Sequence, residues 1–150
     1  MSQINLSGLL FINEQDMWTR YGVFLLEETA GETKNYSALL KPASVKAVKS
    51  ISYDEEDGER LPAAIAPKLE PREVSLQVGI LAPKDSFSAK YRGFLQLLRS
   101  GWLQVRLPEL GTTYRMLYLG TSDYKQLTGL SDTLIGASMT IKLREPQPQF

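Results

Sequence analysis

The 150-residue sequence contains no histidine and no cysteine. Without imidazole there is no side chain that titrates near neutrality in its ordinary state, so the commonest general base is missing. Without thiols there is no thiolate nucleophile, no disulfide and no zinc site of the usual kind. Ser-His-Asp and Cys-His arrangements are excluded with them. Net charge is missing too: 17 basic residues balance 17 acidic ones, without the cationic excess of a typical nucleic-acid binder. No apolar run approaches the ~20 residues of a membrane span. The N-terminal residues show no basic region followed by an apolar stretch, so no secretory signal is expected. These absences lead to an expectation of no cofactor, no metal site, no membrane and no sequence-specific nucleic acid.

What remains is ordinary globular material. Hydrophobic residues make up 43% and charged residues 23%, enough apolar surface for a core that needs no disulfide staple. The length fits one domain over residues 1–145, and residues 146–150 are expected to leave it as a short extended arm, because Pro146 and Pro148 cannot donate to a strand ladder. Charge is unevenly placed. Asp54, Glu55, Glu56, Asp57 and Glu59 surround Gly58, whereas from Arg72 onward ten basic residues face six acidic ones. The acidic stretch reads as a solvated loop or as a loop that docks on a basic surface of a neighbouring copy. With the connector over 61–71, which carries Pro62, Pro67 and Pro71, it makes a long irregular segment.

Hydrophobic alternation predicts strands. Val74, Leu76, Val78 and Ile80 alternate with small or polar residues over 73–81, and Ala137, Met139, Ile141 and Leu143 do the same over 137–144. Residues 103–107 form a third such run, 113–119 a fourth, and 4–12, 23–28 and 48–54 complete the set. Asn13 to Asp16 reads as a hairpin tip. One segment departs from this rhythm: Phe87, Tyr91, Phe94, Leu95 and Leu98 recur at helical spacing and predict an amphipathic helix over about 86–99, capped by Asp85 or Ser86 and ended at Gly101. A chain of strands with one helix is expected to be mainly β (α+β), an antiparallel β-sandwich or split β-barrel with that helix packed on it.

Little in the sequence offers chemistry. Glu27 with Glu28, and the acids at 54–57, are adjacent carboxylates, but strand neighbours point to opposite faces and loop acids stay solvated. Ser122 and Lys125 match a Ser-x-x-Lys pattern without the helix and companion motifs that pattern needs. The triplets beginning at Asn5 and Asn35 are glycosylation acceptors by pattern only. Lys84, Lys90, Arg92 and Arg99 near Tyr91 read as a solvated helix face. Arg115 with Tyr114 and Tyr118 comes nearest to a stacking platform, though core packing accounts for both rings. Trp18 and Tyr21 fall in an aromatic cluster that either plugs one end of the barrel or anchors an interface, the plug being favoured; Trp102 is assigned to the core.

Taken in order, several segments form a familiar series: Met17-Trp18-Thr19-Arg20-Tyr21-Gly22-Val23, the Lys41-Pro42 turn, the stretch from Ser50 to Gly58, the strand opening at Arg72, the helix around Ala89 to Leu98, Gly101-Trp102-Leu103, Tyr114 to Tyr118, and Arg144-Glu145-Pro146. The series resembles the N-terminal domain of the distal tail proteins of long-tailed phages and, more loosely, the phage tail-tube fold. The resemblance implies a non-enzymatic structural component of a phage or prophage tail, made in the bacterial host cytoplasm and residing in the virion. It implies a homo-oligomeric ring of six at the distal tail or baseplate hub, with itself and the tube, tape-measure or fibre and hub proteins as partners. Larger members carry a second, carbohydrate-binding-like domain for which these residues provide no counterpart. The expected self-association surface comprises Asp54, Glu55, Glu56, Asp57 and Glu59 together with Trp18 and Tyr21. The rival expectation is a monomeric module that binds a peptide or carbohydrate on its sheet face.

Overall fold

The computed structural model describes residues 6–26, 33–47, 57–61, 63–128 and 133–150. In chain order these form strand β1 (Phe11–Ile12), β2 (Gln15–Asp16), helix α1 (Met17–Tyr21), β3 (Val23–Leu25), α2 (Lys34–Leu40), β4 (Arg72–Pro83), α3 (Lys84–Leu98), β5 (Leu103–Leu107), β6 (Thr112–Gln126) and β7 (Leu134–Glu145). The fold is mainly β: seven strands make one antiparallel sheet in the order β2-β1-β5-β6-β7-β4-β3.

That order and one short connection decide between sandwich and barrel. A flat seven-stranded sheet would hold its outer strands roughly 29 Å apart, six spacings of about 4.8 Å. Yet the two outermost strands, β2 and β3, are joined only by the five residues of α1 and Gly22, and a helix that short rises about 7.5 Å. The sheet must therefore curl until its edges nearly meet, with α1 across the remaining gap. Each end of α1 is fixed by local chemistry. The Asp16 carboxylate accepts from the Trp18 amide at 3.1 Å, and Gly22 takes the left-handed conformation that ends the helix. A Cβ at Gly22 would lie 2.3 Å from the Leu81 carbonyl oxygen, so only glycine lets this seam approach β4.

Two short strands, β1 and β3, are each extended by an asparagine. Beyond β1, Asn13 pairs with Gln104 through its own amide (3.0 Å) and accepts from the Gln104 amide through its side chain (2.8 Å). Beyond β3, the buried Asn35 side chain accepts from the Gln77 amide at 2.7 Å and donates to its carbonyl at 2.9 Å. A carboxamide has the donor and acceptor of a peptide unit, so Asn35 adds a full rung through its side chain and Asn13 completes one with its side-chain oxygen. Asn35 lies in α2 and is enclosed, which removes the acceptor side chain of its triplet from solvent.

The core lies inside the curl. Val74, Leu76, Val78 and Ile80 of β4 face Ala137, Met139, Ile141 and Leu143 of β7, Leu103, Val105 and Leu107 of β5, and Tyr114 and Met116 of β6, with Phe94 and Leu98 of α3 completing it. Alternation located β5 at its observed bounds. The other strands differ from expectation in instructive ways. β4 runs on to Pro83, which pairs with Leu134 and leads straight into α3, so the cap expected at Asp85 or Ser86 is not used; both lie within the helix and Pro83 precedes it. The helix closes at Arg99 with φ −89°, and Gly101 takes its positive φ, 127°, only in the turn to β5. β6 continues to Gln126, past the expected end, through bulges beside Gly120 and between Ser122 and Lys125. The first expected strand is shorter: 6–10 are irregular and only Phe11–Ile12 pair. The next is confined to Val23–Leu25, with Glu27 and Glu28 outside the described residues, as is the strand expected over 48–54. Asn13 and Glu14, with φ of 53° and 65°, form the hairpin tip.

Candidate assembly surface

The organising feature is how β6 is flanked. Its first part, Thr112 to Met116, pairs with β5, and its second part, Leu117 to Gln126, pairs with β7. Each part therefore has one further edge. Along the first part that edge is covered by the C-terminal arm. Gln149 donates to the Thr113 carbonyl at 2.6 Å, Phe150 meets the Tyr114 ring edge-on at 6.3 Å, and the Phe150 carbonyl accepts from Ala43 at 3.0 Å. The arm lies along the body and does not leave it.

Beneath the arm, Arg72 holds several elements together. Its Nε donates to the Glu145 carboxylate at 2.6 Å, and its Nη1 donates to the Lys41 carbonyl at 2.6 Å. The guanidinium lies 5.5 Å from the Tyr114 ring centre and 5.3 Å from that of Phe150. Only 2% of the Glu145 side chain is exposed, so this is an enclosed ion pair whose geometry must be good to hold two charges out of water. Burial raises the Tyr114 phenol above its ordinary pKa, opposed in part by the Arg72 charge. Its buried hydroxyl makes no close hydrogen bond, yet the Arg72 and Thr112 side chains are near enough to hold the pKa down in part.

The second part of β6 has no such cover. Among the described residues no backbone hydrogen bond engages its outer edge from Leu117 to Gln126. Leu119 (50% exposed) and Tyr124 (43%) sit on this strand, and Leu127 and Leu134 lie exposed at its far end. Tyr124 packs edge-on against Tyr91 of α3 at 5.7 Å, and Tyr91 stacks on Phe87 at 6.0 Å, giving a row of aromatic side chains beside the open strand. Desolvation, with Tyr91 adding to it, raises the Tyr124 phenol above its usual pKa. An unpaired strand edge with apolar neighbours is a template for another strand.

The residues expected to mediate self-association fall elsewhere. Trp18 and Tyr21 are both half-buried on α1 at the seam, Trp18 edge-on to Phe24 at 5.9 Å and Tyr21 tilted against Phe94 at 6.1 Å. Asp57 and Glu59 are exposed; Asp54, Glu55 and Glu56 lie outside the described residues. Trp102 is not in the core: it precedes β5, whose inward alternation begins at Leu103, and it is 46% exposed with the Arg115 guanidinium 3.9 Å from its ring centre. Ser122 and Lys125 lie on a bulged strand and not on a helix. Among the described residues no three His, Cys, Asp or Glu side chains gather as a metal site would require, and no helix is long and apolar enough to cross a membrane. The groups displayed on the surface are therefore suited to contact: a bare strand edge, aromatic side chains and separated charges.

No family model and no curated protein matches the chain. Among solved structures it is similar to the SPP1 Dit (gp 19.1) protein, described as a paradigm of the hub adsorption apparatus in phages that infect Gram-positive bacteria. The TM-score is 0.50 at 13% sequence identity. The match covers 92% of this chain and 50% of the Dit chain, so the present sequence spans half the length of that protein. At this identity the likeness is one of fold. It runs through nearly the whole chain.

Proposed function

We propose that this chain is a non-enzymatic structural subunit of a phage or prophage tail, assembling with copies of itself into a ring of six at the distal tail or baseplate hub. The observation that carries this reading is the uncovered outer edge of β6 beside exposed Leu119 and Tyr124, on a fold shared with a phage hub protein. A folded chain normally pairs, covers or charges such an edge; here the arm guards one part of the strand and leaves the other open. A ring needs a heterologous contact, in which one face of each copy meets a different face of the next, and a strand edge serves that geometry. The tube above and fibre or hub proteins below are the partners this position implies, with the virion tail as the location.

The test is sedimentation velocity over a concentration series, followed by electron microscopy of the largest species. Concentration-dependent association into closed rings is the expected result. A monomer at every soluble concentration, with no rings on the grids, overturns the reading. The second reading, a monomeric module binding a peptide or carbohydrate, is favoured by the exposed Trp102–Arg115 stack and by Arg106 over Phe11 at 4.3 Å on the outer sheet face. It requires a monomer whose ligand binding is lost in Trp102→Ala.

A further inference from the structure

We propose that the cleft between α1 and α3 is the receiving site for the acidic segment 54–59 of a second copy of this chain. The inference rests on the self-association reading and names a contact within it.

The cleft has a volume of about 580 Å³ and is lined chiefly by Gln15, Asp16, Thr19, Arg20, Tyr21 and Lys90. Its charge is unbalanced. Asp16 is its sole acid, and that carboxylate is already committed to the Gly8 amide (3.0 Å), the Trp18 amide (3.1 Å) and the Thr19 hydroxyl (3.2 Å). Arg20 and Lys90 have no carboxylate partner among the described residues. Arg20 is steadied over the Tyr21 ring at 5.9 Å, which presents a planar donor fork at little further cost in side-chain order. Lys90 is half-buried, its stem packed while it lines the cleft. Gln15 adds an independent sign: its side-chain carbonyl is buried in the cleft wall and accepts no hydrogen bond. Turned outward, it would accept an N–H from a seated segment and relieve that cost.

The segment has the opposite character. Five of its six residues are acidic, and Asp57 and Glu59 are exposed without an ion pair among the described residues. Gly58 has φ of 77° and open space about it, so the chain turns there with both acids displayed. Carboxylates are what a guanidinium fork beside an ammonium selects, bidentate at Arg20 and as a point charge at Lys90. Every copy carries both the cleft and the segment, so each can give and receive. Because the cleft and the segment are different patches, the contact can repeat head-to-tail around a ring. Its charges should also make association salt-sensitive, because screening acts over about 8 Å at physiological ionic strength.

The test uses the full chain and two variants in sedimentation velocity. One reverses the cleft (Arg20→Glu with Lys90→Glu); the other reverses the segment (Glu55→Lys, Glu56→Lys and Asp57→Lys). Each alone is expected to associate at least about tenfold more weakly than the parent, the effect of one close charge pair. Mixed in equal amounts they are expected to recover association, because each cleft then meets a segment of opposite sign. A cleft variant that fails to fold is replaced by Arg20→Gln with Lys90→Gln, expected to weaken association to a smaller extent. Parent-like association of either variant, as would follow if the segment sits in its own cleft, overturns the inference and leaves the self-association reading standing. So does a mixture that stays dissociated. A parent chain that never associates removes both.

Discussion

The two parts of β6 belong to one strand yet meet opposite fates. Over Thr112 to Met116 the inward residues Tyr114 and Met116 are fully buried and the free edge is guarded by the chain's own arm. From Leu117 onward the strand is paired only with β7, bulges twice and exposes Leu119 and Tyr124. The first part shows what the fold does when an edge must be protected; the second shows an edge left as it is. The second part also carries Gly120 and Asp123, which are poor strand formers, but it still pairs with β7 along its length. The difference lies in what covers the strand, which is why the uncovered part is the natural place for a partner.

The largest expected effect comes from removing the guard. Arg72→Ala leaves the Glu145 carboxylate enclosed without its partner and takes the cation from between Tyr114 and Phe150. The expected loss is about 3–5 kcal/mol, measured by urea denaturation of the full chain. A loss below about 1 kcal/mol would mean that the enclosed ion pair does not hold this end together. Next is a direct comparison along the strand. Met116→Ala is expected to cost about 2–5 kcal/mol through the cavity it leaves, whereas Leu119→Ala should stay within about 0.5 kcal/mol. Equal costs would erase the distinction between the two parts.

How much of this was legible in the sequence follows from how local each feature is. β4, β5 and β7 were readable because one wet and one buried face impose strict alternation, and α3 because its stripe repeats at helical spacing. The far part of β6 was not, because Gly120 and the bulge before Lys125 shift the phase that alternation depends on. α1 and α2 are five and seven residues long, too short for periodicity to declare them. Asp16 and Gly22 were the signals present for α1, an N-cap and a left-handed C-cap at helical distance. α2 is held by the Asn35 contacts with Gln77, 42 residues away, which no local pattern contains. The acidic segment, Trp18 and Tyr21 were visible as candidates from composition alone. The open edge was not, because whether a strand is covered depends on a nonlocal partner, here the arm that was expected to leave the body. Trp102 was misplaced for a related reason: hydrophobicity suggests the core, but alternation begins one residue later.

A smaller effect is expected at Tyr114, where burial and hydrogen bonding pull apart. Tyr114→Phe deletes a buried hydroxyl that makes no close hydrogen bond and interacts only weakly with Arg72 and Thr112, so stability at neutral pH should change by less than about 1 kcal/mol. The same change alters alkaline behaviour. Burial raises the folded phenol above the unfolded value of about 10, so the native state keeps its proton longer than the unfolded state does. Its contribution is complete below about pH 10 and is lost as pH climbs through the folded value. Denaturation curves across that range should fall less steeply for Tyr114→Phe, the remaining slope including Tyr124. An unchanged slope would show that the Tyr114 proton is not linked to folding.

The least stability change, and the sharpest test of the open edge, is expected from Leu119→Lys. Leu119 is half exposed on a strand already paired with β7, so its replacement removes little buried area and should alter unfolding by no more than about 0.5 kcal/mol. A lysine on an exposed strand is also a device by which edges repel further pairing, because its charge would have to be desolvated against the incoming chain. Folding and association should therefore separate: the urea midpoint stays in place while sedimentation shifts toward the monomer. The same substitution at Arg115, Arg115→Lys, lies on the guarded part of the strand and keeps the charge, so it should leave association alone and loosen only the stack on Trp102. If Leu119→Lys associates as the parent does, the second part of β6 is open without being used, and the contact between copies must run through the charged cleft and segment instead.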